Sequence, residues 1–240
     1  MAYVNFGSRV LRLNSSGTDV EILQYLLNHL PIIGAPSLVT DGFFGPNTEE
    51  AVRKFQEYFG LAVDGVVGKN TFLYFGQQTS VYLPSGAPVF GSRTLKKGMS
   101  SRDVWVLQNR LASTAMKYAM ALGGSADSIF GSKTQAAVKL FQKDRGLVQD
   151  GIVGPKTYFA LFLYTYMGGR YLQRTRADRN QGYDVYFLQK NLKAKGFYDG
   201  ILDGKFGIVT QTAVKDLQKS VAIAVDGVVG PKTYFHLAPV

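Results

Sequence analysis

The side chains best suited to chemistry are few in this chain, and their spacing works against it. Its two histidines, His29 and His236, lie near opposite ends of the 240 residues. A zinc hydrolase needs three protein ligands, often two of them histidines, so this pair would have to be joined across the whole chain. The only glutamates are Glu21, Glu49, Glu50 and Glu57. Glycoside cleavage asks for two carboxylates about 5 to 10 Å apart, one with a raised pKa. Glu49 and Glu50 instead follow Thr48 in what reads as the first turn of a helix, where acidic side chains complement the helix dipole. The absence of cysteine removes a thiolate nucleophile, a thiolate metal ligand and disulfides together. The sequence thus specifies no catalytic site, no metal site and no cofactor.

The aspartates are organised differently. An Asp, usually a Gly, an apolar residue and then Gly-x-x-Thr recur at 41–48, 64–71, 127–134, 150–157, 203–210 and 226–233. The copies come in pairs. Within each pair the two aspartates are 23 residues apart, while successive pairs are offset by 86 and then 76 residues. Fixed spacing inside a pair and loose spacing between pairs marks three folded repeats. Each loop offers one carboxylate, not the alternating set that a calcium loop requires. The mechanical reading is direct: Asp accepts from backbone amides two residues on, Gly tolerates a positive φ, and Thr falls in the first turn of the next helix.

Those loops must be held by helices. In the first repeat Thr18-Asp19-Val20-Glu21 reads as a capping box, and Val20, Leu23, Leu27 and Leu30 follow at helical spacing. Pro31 ends that helix. Gly45-Pro46 opens a second, with Ala51, Val52, Phe55 and Phe59 on its inner face and Gly60 as its stop. A short closing helix starts at Lys69. The layout recurs with Asp103-Val104, Leu107-Gln108, Ala137-Val138 and Phe141-Gln142, and again with Asp184-Val185, Leu188-Gln189, Ala213-Val214 and Leu217-Gln218. The leading segment Phe6-Gly7-Ser8-Arg9 returns as Phe90-Gly91-Ser92-Arg93 and, loosely, at 171–174. Ser128 and Ala222 replace glycines of the pattern. The expected fold class is mainly α: three tandem small three-helix domains at 1–80, 81–165 and 166–240, joined by short linkers at 76–89 and 162–170. The second linker is aromatic and suited to packing on a neighbouring unit.

Charge is unevenly spread. Of the net +10, residues 1–80 hold 5 Lys/Arg against 7 Asp/Glu, residues 81–165 hold 11 against 4, and residues 166–240 hold 11 against 6. Clusters such as Arg170, Arg174, Arg176, Arg179 and Lys190, Lys193, Lys195 would suit phosphates. No helix-turn-helix, finger or RNA-binding motif accompanies them, so nucleic acid is not the expected partner. No apolar run approaches a membrane span, and residues 1–17 show no export signal.

Asp19-Val20, Leu23-Gln24, the loop 41–48, Ala51-Val52, Phe55-Gln56, Gly60-Leu61 and the loop 64–68 together resemble the peptidoglycan-binding domain common in bacterial wall hydrolases and phage endolysins. The likeness covers nearly everything outside the linkers and occurs three times. It implies a compact three-helix fold per repeat and non-covalent attachment to cell-wall glycopeptide, in the wall or outside the cell. The partners it implies are peptidoglycan or its stem peptides, anionic wall polymers and a separate wall hydrolase. Because three weak contacts on a repeating polymer gain avidity on the order of a hundredfold or more, the expected function is non-catalytic, multivalent wall binding. The alternatives are a scaffolding protein of a spore or phage particle, or the targeting part of a hydrolase.

The first loop of each pair is the expected ligand site: Asp41, Gly42, Phe43 and Thr48; Asp127, Ile129 and Thr134; Asp203, Gly204, Lys205 and Thr210. Phe44, Phe130 and Phe206 are expected in the core, leaving Phe43, Ile129 and Lys205 outside, with Phe43 an aromatic platform for a sugar ring and peptide stem. The same Asp, Gly and Thr also suit a purely turn-building role. Gln24, Gln56, Gln108, Gln142, Gln189 and Gln218 either line a groove or brace the loops.

Overall fold

Three apolar stripes meet in each repeat, and the computed structural model shows them doing so over residues 4–30, 32, 34–75, 87–124, 126–177 and 180–238. In the first repeat α1 (Thr18–Asn28), α2 (Pro46–Tyr58) and α3 (Lys69–Tyr74) bury Val20, Leu23, Val52, Phe55 and Phe72. The second is α4 (Arg102–Thr114), α5 (Met116–Leu122), α6 (Ser132–Asp144) and α7 (Pro155–Tyr164). The third is α8 (Tyr183–Ala194), α9 (Ile208–Ser220) and α10 (Pro231–Leu237). Among the described residues no strand forms. Isolated antiparallel bridges instead tie each leading segment to both of its loops, as Leu11 to Val67 and Ser16 to Phe43 do in the first repeat.

Three expectations need correction. Thr18 does not cap α1. Its hydroxyl exchanges hydrogen bonds with the Val4 backbone, Gly17 holds the cap position, and the Glu21 amide donates to the Gly17 carbonyl. The chain running alongside offered Thr18 two partners at once, and the capping box lost. Next, the leading segment of the third repeat is registered four residues earlier than 171–174. Arg170, not Arg174, is the counterpart of Arg9 and Arg93. Arg9 pairs with Asp19 at 2.7 Å, Arg93 with Asp103 at 2.9 Å and Arg170 with Asp184 at 2.8 Å, each through two guanidinium nitrogens. Finally, the second repeat carries a fourth helix, α5, whose Tyr118 hydroxyl donates to Asp144 while Lys117 pairs with the same carboxylate.

The repeats are not beads on a string. Phe6 of the first meets Phe162 of the second at 5.9 Å, and Phe162 meets Phe90 at 5.7 Å, so the first two repeats share one buried cluster, which Tyr183 and Phe235 of the third join while the rest of the third repeat's core forms a second cluster. The closing helix α7 lies on α1, and the closing helix α10 lies on α4. The first repeat in turn reaches the third: Tyr58 Oη donates to the Asp203 carbonyl at 2.7 Å, and Gln181 Nε2 donates to Tyr74 Oη at 3.1 Å. Head-to-tail contact therefore closes into a ring of three.

Area shows that the repeats pack as one compact body. The accessible surface is 10506 Å². A single compact protein of this mass exposes roughly 10,600 Å², whereas three separate bodies of a third the mass would expose roughly 14,000 Å². The aromatic linker contributes to this burial, with Tyr166 stacked on Phe187 at 4.0 Å. Most of the other linker, residues 76–86, lies outside the described residues. No helix among the described residues is long and apolar enough to cross a membrane.

Candidate functional site

Each of the six loops is built around one buried glutamine from a helix ahead of it, the directly preceding helix in every case but the loop at Asp127, where α4 supplies Gln108 past α5. In the first loop Gln24 Nε2 donates to Asp41 Oδ1 at 2.9 Å, to the Phe43 carbonyl at 2.9 Å and to Thr48 Oγ1 at 3.2 Å. Its Oε1 accepts from the Gly42 amide at 2.9 Å, and Asp41 Oδ1 also accepts from the Phe43 amide. Gln56, Gln108, Gln142, Gln189 and Gln218 repeat the pattern on Asp64, Asp127, Asp150, Asp203 and Asp226. The glutamines are braces, as a side chain beside a core Leu or Phe must be if its amide is to be satisfied.

The network fixes the electrostatics. The Gln24 amide, with the Phe43 amide, holds the Asp41 carboxyl below the usual carboxylate range. The Ile152 amide and then Gln142 do the same for Asp150. Thr48, Thr134 and Thr210 are buried, and their hydroxyls are engaged inside the loops. The aspartates spend Oδ1 on the turn and remain at the surface.

The side chains beside them divide as the pattern requires. Phe44, Phe130 and Phe206 are buried, while Phe43 is 47% and Ile129 53% exposed and Lys205 is exposed. The three first loops differ in surroundings, however. Asp203 and Gly204 lie against Tyr58 and Phe59 of the first repeat, so a neighbouring repeat already covers part of the third site. Among the described residues, the hydrogen bonds of Asp41, Gly42 and Phe43 all stay within the first repeat.

Sequence reasoning missed concavities beside the second loops. A cavity of about 450 Å³ is lined by Val148, Asp150, Pro155 and Lys156, and one of about 310 Å³ by the equivalent Ala224, Asp226, Pro231 and Lys232. The signal was present: Gly-Pro-Lys-Thr-Tyr-Phe stands unchanged at 154–159 and 230–235, whereas the first repeat has Gly-Lys-Asn-Thr-Phe-Leu.

The potential catalytic groups have structural surroundings. Glu49 pairs with Arg53, and Glu57 with Lys54. His29 ends α1 and stacks on Tyr25 at 4.0 Å. Burial lowers the His236 pKa, with Lys195 adding to the effect. Among the described residues no three His, Asp or Glu side chains gather as a metal site would need.

Known proteins share parts of this sequence. The chain is 42% identical over 106 residues to the N-acetylmuramoyl-L-alanine amidase CwlM of Mycobacterium tuberculosis, covering 44% of this chain and 26% of that one. It is 30% identical over 200 residues to the N-acetylmuramoyl-L-alanine amidase CwlL of Bacillus licheniformis, covering 73% of this chain and 52% of that one. With a spore cortex-lytic enzyme of Bacillus cereus it shares 46% identity over 52 residues, 22% of this chain and 20% of that one. The chain thus spans between a fifth and about half of these relatives. The PG_binding_1 peptidoglycan binding domain matches residues 16–73, 100–161 and 181–237, the three repeats in turn, and the chain belongs to that family.

Proposed function

We propose that these 240 residues are a non-catalytic, multivalent binder of bacterial cell-wall peptidoglycan, acting at the wall or outside the cell. The observation that carries the reading is the threefold match of the family domain, with each repeat built around the same pair of braced loops. Asp41, Gly42, Phe43 and Thr48, Asp127, Ile129 and Thr134, and Asp203, Gly204, Lys205 and Thr210 are the proposed contact regions. In them the buried Thr and Gly shape the loop, and the exposed Asp oxygen with Phe43, Ile129 or Lys205 meets the polymer. Phe43 offers the only aromatic face of the three. Positive charge on the second and third repeats would favour anionic wall polymers as secondary partners.

Retention on purified sacculi at physiological salt tests this reading. The expected result is retention of the folded chain together with no clearing of wall substrate in a zymogram. Loss to the supernatant with the fold intact refutes wall binding, and clearing refutes the non-catalytic assignment. A second reading is favoured by the names of the relatives: the repeats would target a wall hydrolase, on the same or a separate chain. Co-retention of an otherwise unretained hydrolase supports that reading.

A further inference from the structure

The seam between the first and second repeats contains a trough that belongs to neither alone. Where α7 lies on α1, a cavity of about 600 Å³ has Thr18 and Glu21 on one wall and Arg145, Lys156, Phe159 and Tyr164 on the other. It shares Leu147, Pro155 and Lys156 with the 450 Å³ cavity of the second loop, so the two are continuous.

Charge is placed across this trough with no ion pair spanning it, although Arg145 also hydrogen-bonds Tyr118. Among the described residues Glu21, Arg145 and Lys156 take part in no ion pair. Arg145 and Lys156 are exposed, and the Arg145 guanidinium lies 4.4 Å from the Tyr164 ring. An acid thus faces two bases over a floor of Leu147, Phe159 and Tyr164.

The corresponding seam between the second and third repeats is filled. Arg102 and Trp105 replace Thr18 and Glu21 there. Trp105 is buried, stacks on Tyr171 at 5.7 Å and carries the Arg102 guanidinium 3.5 Å above its ring. Where the first seam carries Glu21, the second thus carries a large buried aromatic held by Tyr171 and Arg102.

We infer that the open seam is a binding site for a short peptide bearing both a free carboxylate and a free amine, with small apolar side chains between them. The carboxylate meets Lys156 and Arg145, the amine meets Glu21, and the apolar portion lies on Phe159 and Tyr164. Resting on the wall-binding reading, this makes the stem peptide the part of the polymer that the trough receives, its free amine being a side-chain amine because the stem's N-terminus is amide-linked in the wall.

Calorimetric titration of the intact chain with a synthetic wall stem tetrapeptide, N-terminally acetylated as the wall's amide link requires, tests it, alongside forms C-amidated or acetylated on the side-chain amine. Saturable binding is expected, weakened about tenfold by either blocking group. Lys156→Ala and Glu21→Gln should weaken it comparably, and Glu21→Trp, which copies the plugged seam, should abolish it. Circular dichroism confirms folding. Lys156→Ala, a surface change, keeps the test decisive should Glu21→Trp fail to fold. If sacculi retain the chain while the tetrapeptide does not bind, or binds regardless of these substitutions, the trough assignment is overturned and wall binding stands. If sacculi do not retain it, both fall.

Discussion

Replacing Gln24 with alanine removes four hydrogen bonds from the first loop: three donated to Asp41, Phe43 and Thr48 and one accepted from Gly42. The bond to the Asp41 carboxylate is charge-assisted, worth about 1.5–3 kcal/mol, and the other three about 0.5–1.5 kcal/mol each. Water will recover part of this, since the Asp41 side of the loop is exposed. The expected loss is therefore about 3 kcal/mol, toward the low end of the summed range. For a chain of this length that corresponds to a fall in Tm of roughly 6–12 °C. Thermal and urea unfolding followed by circular dichroism would measure it. Gln24→Glu is the sharper control. It keeps an acceptor for the Gly42 amide but sets a second oxygen against Asp41 and the Phe43 carbonyl. It should cost at least as much at pH 7 and recover stability as the new carboxyl protonates in acid. A loss below about 1 kcal/mol for Gln24→Ala, with Gln56→Ala equally mild, would refute the claim that these glutamines hold the loops.

Ser128 and Ala222 occupy left-handed backbone at φ 67° and 53°, where the other repeats use glycine, so Ser128→Gly and Ala222→Gly should each stabilise by about 0.5–1 kcal/mol. Urea midpoints measure this, and destabilisation by either change would contradict the strain argument. Arg170→Ala strands the buried Asp184 carboxylate and should cost about 3–5 kcal/mol, whereas Arg9→Ala, whose partner Asp19 is equally buried but whose own guanidinium is open to water that can replace it, should cost less, about 1–3 kcal/mol; chemical unfolding of both separates the cases. In acid, Asp41, Asp64 and Asp150 carry depressed folded-state pKa values, so their stabilisation is complete above about pH 5 and disappears as pH falls through those values. In alkali, burial raises Tyr118, Tyr183 and Tyr234, so their contribution is full below about pH 10 and is lost as pH climbs further; a pH series of Tm values should show both arms. Phe43→Ala should weaken retention on sacculi several-fold, and Lys205→Ala should weaken it less, because Tyr58 already covers part of the loop beside it; the reverse order would relocate the main binding face.

The parts of this fold that were legible in the sequence are those set by contacts within one repeat. The alternation of Phe43 and Phe44, and of its counterparts, follows from a loop with one inward and one outward position between fixed glycines. Helix stripes such as Val20, Leu23 and Leu27 follow from period alone. The misreadings share another cause. Thr18 was claimed by Val4, a partner fourteen residues away, so the local capping signature lost to a tertiary one. Arg170 was obscured because Met167-Gly168-Gly169-Arg170 keeps the glycine and the arginine of the leading motif but not its Phe or Ser. The trough escaped notice because Glu21 and Lys156 meet only when α7 docks on α1, and nothing in either repeat's own pattern encodes that docking.

That docking changes how multivalency must work here. Flexible linkers would let three sites search a polymer independently, with an effective concentration set by linker length. Repeats locked in a ring instead hold their loops at fixed separations, on a body with a radius of gyration of roughly 18 Å. Avidity then depends on whether the wall presents its epitopes at matching spacing, and it vanishes if geometry forbids simultaneous contact. The ring also makes the sites unequal: the third loop leans on Tyr58 and Phe59, the second seam is plugged by Trp105, and the first loop and first seam stay open. A threefold sequence repeat has thus become a structure with distinct faces. Each repeat also braces its neighbours, so under the multivalent reading copy number in the sequence sets only an upper limit on the independent contacts the polymer can receive.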